Sequence, residues 1–263
     1  MLEEISHIKE WEREEIERSA TEAEHVSLEA LRYSEDHFAR YADPPADTCF
    51  PLEYSYHLLG DVRGKTIVDL GCGSGENTAL LVRRGAKVVG MDISPPMIQV
   101  AKQRLVANGG PEQTGFFAAS AHAIPLSDGS VDVVFGIAIL HHLDLSLVSR
   151  EVLRILRKGG CAIFQEPVRN SRLLKFARRC IPYKSPDVSP FERPLTYIEL
   201  KNFADGLAEY YSKDFFLPYV SIAGMLPFPQ SLVHPLLSFD RAVLKEFPYL
   251  RNYATVRVVR VVK

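Results

Sequence analysis

The chain has 263 residues, of which 46% are hydrophobic and 24% charged, with a formal net charge of −2. This composition suits a globular protein of one large domain, or one domain carrying an insertion, and it gives no electrostatic reason to expect nucleic acid or an anionic membrane as partner. The four cysteines, Cys49, Cys72, Cys161 and Cys180, are scattered without a CxxC pair, which argues against a disulfide framework or structural zinc and fits a reducing cytoplasm.

The N-terminal stretch EEISHIKEWEREEIE is acidic, unlike the basic start of a signal peptide. No apolar run approaches the roughly 20 residues that span a bilayer, so stable membrane insertion is not expected. Residues 1 to about 40 read as helix, with Leu2, Ile5, Ile8 and Trp11 at helical spacing among charges. Such a helix either packs on the domain surface or closes over a cleft as a lid. DPPAD at 43–47 breaks it. A lid over 1–60 and a main domain over 61–263 follow.

From Lys65 the pattern changes. KTIVDL is a short β-branched run of the kind a buried parallel strand needs. Glu76 to Arg84 reads as helix, stopped by Gly85. AKVVGMD is a second strand. Ser94 offers an N-cap, Pro95 and Pro96 suit a helix start, and the helix runs to NGG at 108–110. TGFFAASA is a third strand and SVDVVFGIAIL a fourth. SLVSREVLRILR is a helix ended by KGG, and CAIFQEP is a fifth strand. This alternation predicts an α/β fold: a doubly wound, mostly parallel sheet with helices on both faces.

After Pro167 the alternation fails. Residues from about 168 to 195 are rich in Arg, Lys and Pro and read as a helical insertion, its charges facing water, lining a basic pocket or lying on a membrane surface. TYIELKNFADGL is a helix with Thr196 as N-cap and Glu199 completing a capping box. EYYSKDFFLPY is a sixth strand. YATVRVVRVV is a seventh, its alternation suited to a half-exposed antiparallel edge. Ligands of such sheets bind at the carboxyl ends of the strands, where Asp69 to Gly75, Asp92, Ser120, His141 and Glu166 fall.

VDLGCGSGENT, 68–78, places Gly71, Gly73 and Gly75 between a strand and a helix start, a cradle for an anion or a cofactor. A dinucleotide site wants GxGxxG. Here the spacing is GxGxG, Glu76 stands where the third glycine should be, and Asp69 would repel a pyrophosphate but suits a cation. Asp92, ending the second strand, can accept both hydroxyls of a ribose.

With these residues the chain resembles the class I S-adenosylmethionine-dependent methyltransferases, in particular the small-molecule group similar to the ubiquinone and sugar methyltransferases. The resemblance rests on 68–75, VVGMDIS at 88–94, IPLSDGSVDVVFGIAILHHL at 124–143 and EVLRILRKGGCAIFQEP at 151–167. It implies a Rossmann-like seven-stranded sheet and S-adenosylmethionine as cofactor. Gly71 and Gly73 would lie against the methionine part, with Cys72 a small residue filling space beside them. Asp69 would face the ammonium, Asp92 would hold the ribose, and Ile93 and Met97 would pack near the adenine. One departure is Ser120, where the family usually has an acid. Its hydroxyl or the Ala121 backbone would meet the adenine, cofactor affinity would be somewhat weaker, and Ser120→Asp should tighten it. The aromatic cluster of Tyr33, His37, Phe38 and Tyr41 would fold over the site or pack in the core, with Tyr33, Phe38 and Tyr41 as candidates to touch the acceptor.

A base is needed only if the acceptor must lose a proton. The candidates are His141, His142 and Glu166. Adjacent histidines at a strand end point in different directions and no spaced ligand pair exists, so no metal is expected. The expected acceptor is a small molecule, apolar or aromatic, lined in part by the apolar stretch 220–239. A nicotinamide-dependent oxidoreductase and a non-catalytic cofactor-binding module are the alternatives. Methylation of nucleic acid or protein lacks its basic face and Asn-Pro-Pro-aromatic signature. The chain is expected to act as a monomer or homodimer.

Overall fold

The structure, a computed structural model, describes residues 2–27, 29–112, 114–171, 193–224 and 229–263. The expected break at 43–47 is present, but the segment before it is two helices, α1 (Leu2–Glu24) and α2 (Glu35–Ala42), and a third, α3 (Pro51–Leu59), follows. The alternating part then runs β1 (Thr66–Leu70), α4 (Glu76–Arg83), β2 (Lys87–Asp92), α5 (Pro95–Ala107), β3 (Gly115–Ala118), β4 (Val131–Ile137), α6 (Leu145–Ile155) and β5 (Leu156–Pro167). It closes with α7 (Tyr197–Phe203), β6 (Glu209–Phe215), α8 (Pro218–Gly224), α9 (Gln230–Glu246) and β7 (Val256–Val262). Among the described residues, seven strands make one sheet in the order β3-β2-β1-β4-β5-β7-β6. β1 to β5 pair in parallel, and β7 is antiparallel to both its neighbours.

The local signals act as chemistry requires. Ser94 caps α5 by accepting the Met97 N–H, and Thr196 and Glu199 form a reciprocal capping box on α7. Two boundaries differ. β3 is shorter than TGFFAASA, because 119–122 turn away to line a cleft. β5 starts at Leu156 and takes in KGG, which does not end a helix but fills the irregularity where the pairing with β4 passes from Leu156 to Cys161.

The central strands of the sheet are buried on both faces. Val68, Leu70, Phe164 and Ala162 pack toward α6 and α7, with Val148, Val152, Leu200 and Phe203. Ile67, Phe135 and Ile163 face the other way, against Tyr56, Leu59, Leu80 and Leu81 of α3 and α4. Each such aliphatic side chain contributes on the order of 1.5–3 kcal/mol when removed from water.

β7 is not an edge. β6 pairs along its whole length, with Phe215 opposite Val256 and Glu209 opposite Val262. The first of the two arginines that break its apolar run, Arg257, does not need solvent. Its Nε and Nη2 donate to the Asp214 carboxylate on β6 at 2.8 and 2.9 Å, and its guanidinium lies 3.2 Å over the Tyr197 ring. A paired and stacked guanidinium tolerates an interior strand. Among the described residues no helix is long and apolar enough to cross a membrane.

Candidate functional site

The order of the strands puts the switch point between β1 and β4, and a cleft opens there at their carboxyl ends. The loop after β1 is pinched from both sides. Gly71 has φ +70, and a Cβ there would sit 2.5 Å from the Ile139 side chain. Gly75 has φ +81, and a Cβ there would sit 2.8 Å from the Ala101 backbone of α5. Both positions therefore demand glycine on two counts. Gly71 and Cys72 donate their N–H groups to the Met91 carbonyl at 2.8 and 2.9 Å, fastening the loop to β2. Asp92 accepts the Gly73 N–H at Oδ2 and the Ser94 N–H at Oδ1, both at 2.9 Å, so its carboxylate is fixed facing the cleft.

Asp69 lies beneath this loop instead of in the cleft. It is 1% exposed, and its Oδ2 accepts the Thr78 hydroxyl of α4. Burial pushes its carboxyl up to about 7, with the Thr78 bond opposing and the Asp92 charge adding to the rise. A carboxyl whose folded pKa is raised favours the folded state while it is protonated. That contribution is full below about pH 4, the unfolded value, and is lost as pH rises to about 7. Asp69→Asn removes this titration while keeping an acceptor for Thr78. Thermal melts of the variant should therefore depend less on pH between 4 and 7 than those of the native chain. Parallel curves would exclude the effect.

One face of α1 closes the cleft. Trp11, Glu12, Glu15 and Ser19 form one wall, and Gly71, Asp92, Ile93, Ser120, Ala121 and His142 face them. The enclosed space is about 60 Å³, room for about two waters, so α1 must shift outward to admit a nucleoside. Besides its packing on α5, two polar contacts among the described residues hold it down. The Glu12 carboxylate meets the Ser120 hydroxyl and, at 2.9 Å, His122 Nδ1. The Glu15 carboxylate pairs with His142 Nδ1 at 3.5 Å. Burial works against the Glu15 charge, but the His142 ring and the Arg18 guanidinium outweigh it and hold its pKa at about 2.

The two histidines part company. Their rings are 4.1 Å apart, yet His142 lines the cleft under α1 while His141 lines a second cavity of about 760 Å³. Trp11 and Leu143 are walls of both cavities. His141 is buried and bonds through Nδ1 to Glu166 Oε2 at 2.8 Å. Glu166, 0% exposed, also accepts the N–H groups of Ile139 and Leu140 at 3.0 and 2.8 Å. A carboxylate accepts only, so the His141 proton sits on Nδ1 and Nε2 is the basic nitrogen. Glu166 touches neither cavity; it orients. The turn that carries these residues begins at Ala138, which has φ +54, a conformation that costs a non-glycine residue on the order of 1 kcal/mol and that recurs at functional sites.

Other expected residues take structural places. Cys72 packs with Ile98, Ala101 and Phe116 between loop and α5. Met97 is buried in the first turn of α5 and does not line the cleft, whereas Ile93 does. Phe38 and Tyr41 belong to the core around Tyr56 and Phe135, because α2 packs on α3 and α4. Tyr33 takes a hydrogen bond from Arg104 at 3.0 Å. None of the three lines either cavity. Nor do the described residues of 220–239: Ile222, Leu232 and Phe239 face solvent. The basic segment 172–192 lies outside the described residues. Conversely, Trp11, Glu12, Glu15 and Ser19 were not singled out as a site. Their spacing of one, four and eight residues puts them on one helix face, but only the docked helix shows that this face closes the cleft.

Comparison with known proteins agrees with this geometry. Residues 68–164 match the methyltransferase domain family. The chain is 32% identical over 143 residues to Methyltransferase GfsG of Streptomyces halstedii, covering 51% of each protein. It is 28% identical over 155 residues to a ubiquinone biosynthesis O-methyltransferase of Sodalis glossinidius, covering 54% of this chain and 60% of that protein. The chain thus spans about half the length of the curated relatives it matches. In fold it is similar to the geranyl diphosphate C-methyltransferase of Streptomyces coelicolor, with a TM-score of 0.55 at 18% identity, covering 79% of this chain and 76% of that one. Through the glycine loop, the acid ending β2, the strand order and the matched segment 68–164, the chain is similar to the class I S-adenosylmethionine-dependent methyltransferases.

Proposed function

We propose that the chain methylates a small-molecule acceptor held in the cavity beside His141, with His141 taking the acceptor's proton. The observation that carries this reading is the shared wall: one histidine of the pair faces each cavity, and Trp11 and Leu143 separate the two. Asp92 and the glycine loop fit the ribose and methionine parts of the cofactor, and Ile93 and Ala121 flank its base. Bound there, S-adenosylmethionine supplies a methyl group already activated on a sulfonium. The protein's work is then alignment, exclusion of water by α1, and removal of a proton. Glu166 fixes the tautomer that leaves His141 Nε2 able to accept that proton. A hydroxyl or an acidic C–H on the acceptor is the group that needs such a base.

The walls of the second cavity favour an acceptor with an apolar or aromatic body and a polar reacting end, of quinone or natural-product type. Leu143, Leu145, Leu195 and Phe203 supply apolar surface, and Ser146 and Asn202, with the charged Asp144, Arg193, Glu199 and Asp205, supply the polar part. The relatives named above, one a ubiquinone biosynthesis enzyme, support the same class. A screen of aromatic hydroxyls, quinols and small polar amines, reading S-adenosylhomocysteine release, tests it. Turnover confined to the small polar compounds overturns the acceptor class. Tight cofactor binding without turnover of any acceptor favours a binding module.

A further inference from the structure

We propose that Glu12, carried on the lid helix α1, reads the exocyclic amino group of the cofactor's adenine, so that base recognition and lid closure are one event. The proposal rests on the reading of the cleft as an adenosyl site.

The ends of β1, β2 and β3 stand side by side along the cleft. A nucleoside whose ribose meets Asp92 at the end of β2 directs its base toward the end of β3, between Ile93 and Ala121. That end carries Ala119, Ser120 and Ala121, with no acid of its own. The carboxylate present there comes from Glu12 of α1.

The hydrogen bonds around Glu12 say what it offers a ligand. The backbone N–H of Asp144 donates to His122 Nε2 at 3.0 Å. A backbone N–H only donates, so Nε2 bears no proton and His122 Nδ1 is the ring's donor. It points at Glu12 Oε1, 2.9 Å away. The Ser120 hydroxyl goes to the same oxygen. Ser120 is held from behind as well, accepting the His122 N–H at 3.0 Å. The side-chain donors of Ser120 and His122 at this end of the cleft are therefore spent on Glu12 Oε1. Oε2 makes no hydrogen bond among the described residues, which leaves the base end an acceptor. Adenine presents an amino donor at its six position, whereas a 6-oxo purine presents an oxygen that meets the carboxylate lone pair to lone pair. Discrimination between the two bases follows from one side chain, and only when α1, having moved outward to make room, rests on the bound base.

This arrangement also changes what Ser120→Asp should do. Alone, it sets a second carboxylate against Glu12 and loosens α1, so it does not tighten cofactor binding. With Glu12→Ala it plants a carboxylate at the same end of the cleft.

The test is calorimetry on the full chain with S-adenosylhomocysteine and its 6-oxo analogue S-inosylhomocysteine. Emission from Trp11, the single tryptophan, reports α1. The native chain is expected to prefer the adenosyl ligand about tenfold or more, as for a hydrogen bond to a charged group. Its Trp11 emission should shift further with the adenosyl ligand than with the inosyl one. Glu12→Ala is expected to bring the two affinities to within about twofold, and Glu12→Ala/Ser120→Asp to restore the preference. Glu12→Ala weakening both ligands by the same factor, with the preference kept, overturns the proposal, since Glu12 then only anchors the helix. Where Glu12→Ala binds too weakly to titrate, the double variant decides, and its failure to recover the preference is equally fatal. A native chain that binds neither ligand refutes the adenosyl site itself, which is a separate failure.

Discussion

His141→Ala is expected to lower kcat by about 10²- to 10⁴-fold, the usual worth of a positioned base, while S-adenosylhomocysteine binds as before. The two readouts separate because His141 lines the cavity beside the cleft and not the cleft itself. Glu166→Gln is the sharper variant. The carboxylate takes three N–H donors, two from the backbone at Oε1 and one from His141 at Oε2. An amide keeps the two backbone bonds only by turning its NH₂ toward the ring. His141 Nδ1 must then accept, and the proton moves to Nε2, where it blocks base catalysis. The fold survives with an orientation of the ring but the wrong tautomer, so kcat should fall about 10²-fold or more with KM little changed. Equal turnover of native chain, His141→Ala and Glu166→Gln would leave alignment of the two substrates as the whole of the mechanism.

The largest expected loss of stability comes from Asp214→Ala, far from the chemistry. Asp214 and Arg257 have side chains only 5% and 11% exposed, joined by two hydrogen bonds between β6 and β7. Asp214 also accepts the Tyr197 hydroxyl at 2.7 Å. Removing the acid leaves a buried guanidinium without its counter-ion and should cost about 3–5 kcal/mol. Urea unfolding at neutral pH measures it. Asp214→Ala with Arg257→Met should recover much of the loss, because no uncompensated charge remains. A single variant as stable as the native chain would show that solvent reaches Arg257.

The parallel half of the fold was legible because its signals are local. KTIVDL and CAIFQEP each hold consecutive apolar residues, Ile67-Val68 and Cys161 to Phe164, which suit strands covered on both faces. Ser94 and Thr196 cap helices by bonds to residues three positions on, a relation contained in the chain itself. The glycine loop was legible for a similar reason, since alternate glycines between strand and helix have few other uses. β7 was misplaced because VRVVRVV describes an alternation of side chains, and alternation says nothing of who pairs at the strand's far edge. The partner that lets Arg257 sit inside, Asp214, is 43 residues away. The aromatic cluster at 33–41 was ambiguous on the same ground: a run of rings at helical spacing fits a lid or a core equally well. Packing of α2 against α3 and α4 put Phe38 and Tyr41 in the core.

Within the candidate site the same division holds. Asp92, Ile93, Ser120 and the histidine pair could be named because strand ends in a doubly wound sheet face the ligand, and the strand pattern locates those ends. Their separate tasks could not. His141 and His142 are neighbours in the chain, and only the turn after Ala138 sends one to each cavity. Glu166 reads as a candidate base from its place at a strand end, and in the structure it takes three N–H groups. Glu12 and Glu15 read as solvated charges on an amphipathic helix, which is what they would be on that helix alone.

Amino-acid order is enough to set periodicity, caps and turns, since these depend on atoms a few bonds apart; from it come the layered sheet and the place and kind of its cofactor cradle. Which acid ends up under the loop, which carboxylate crosses from α1 to the end of β3, and which histidine keeps its proton on Nδ1 depend on groups tens of residues apart. Those were decided when the helices docked, because burial and a neighbouring donor, not residue type, set the state of a charged side chain.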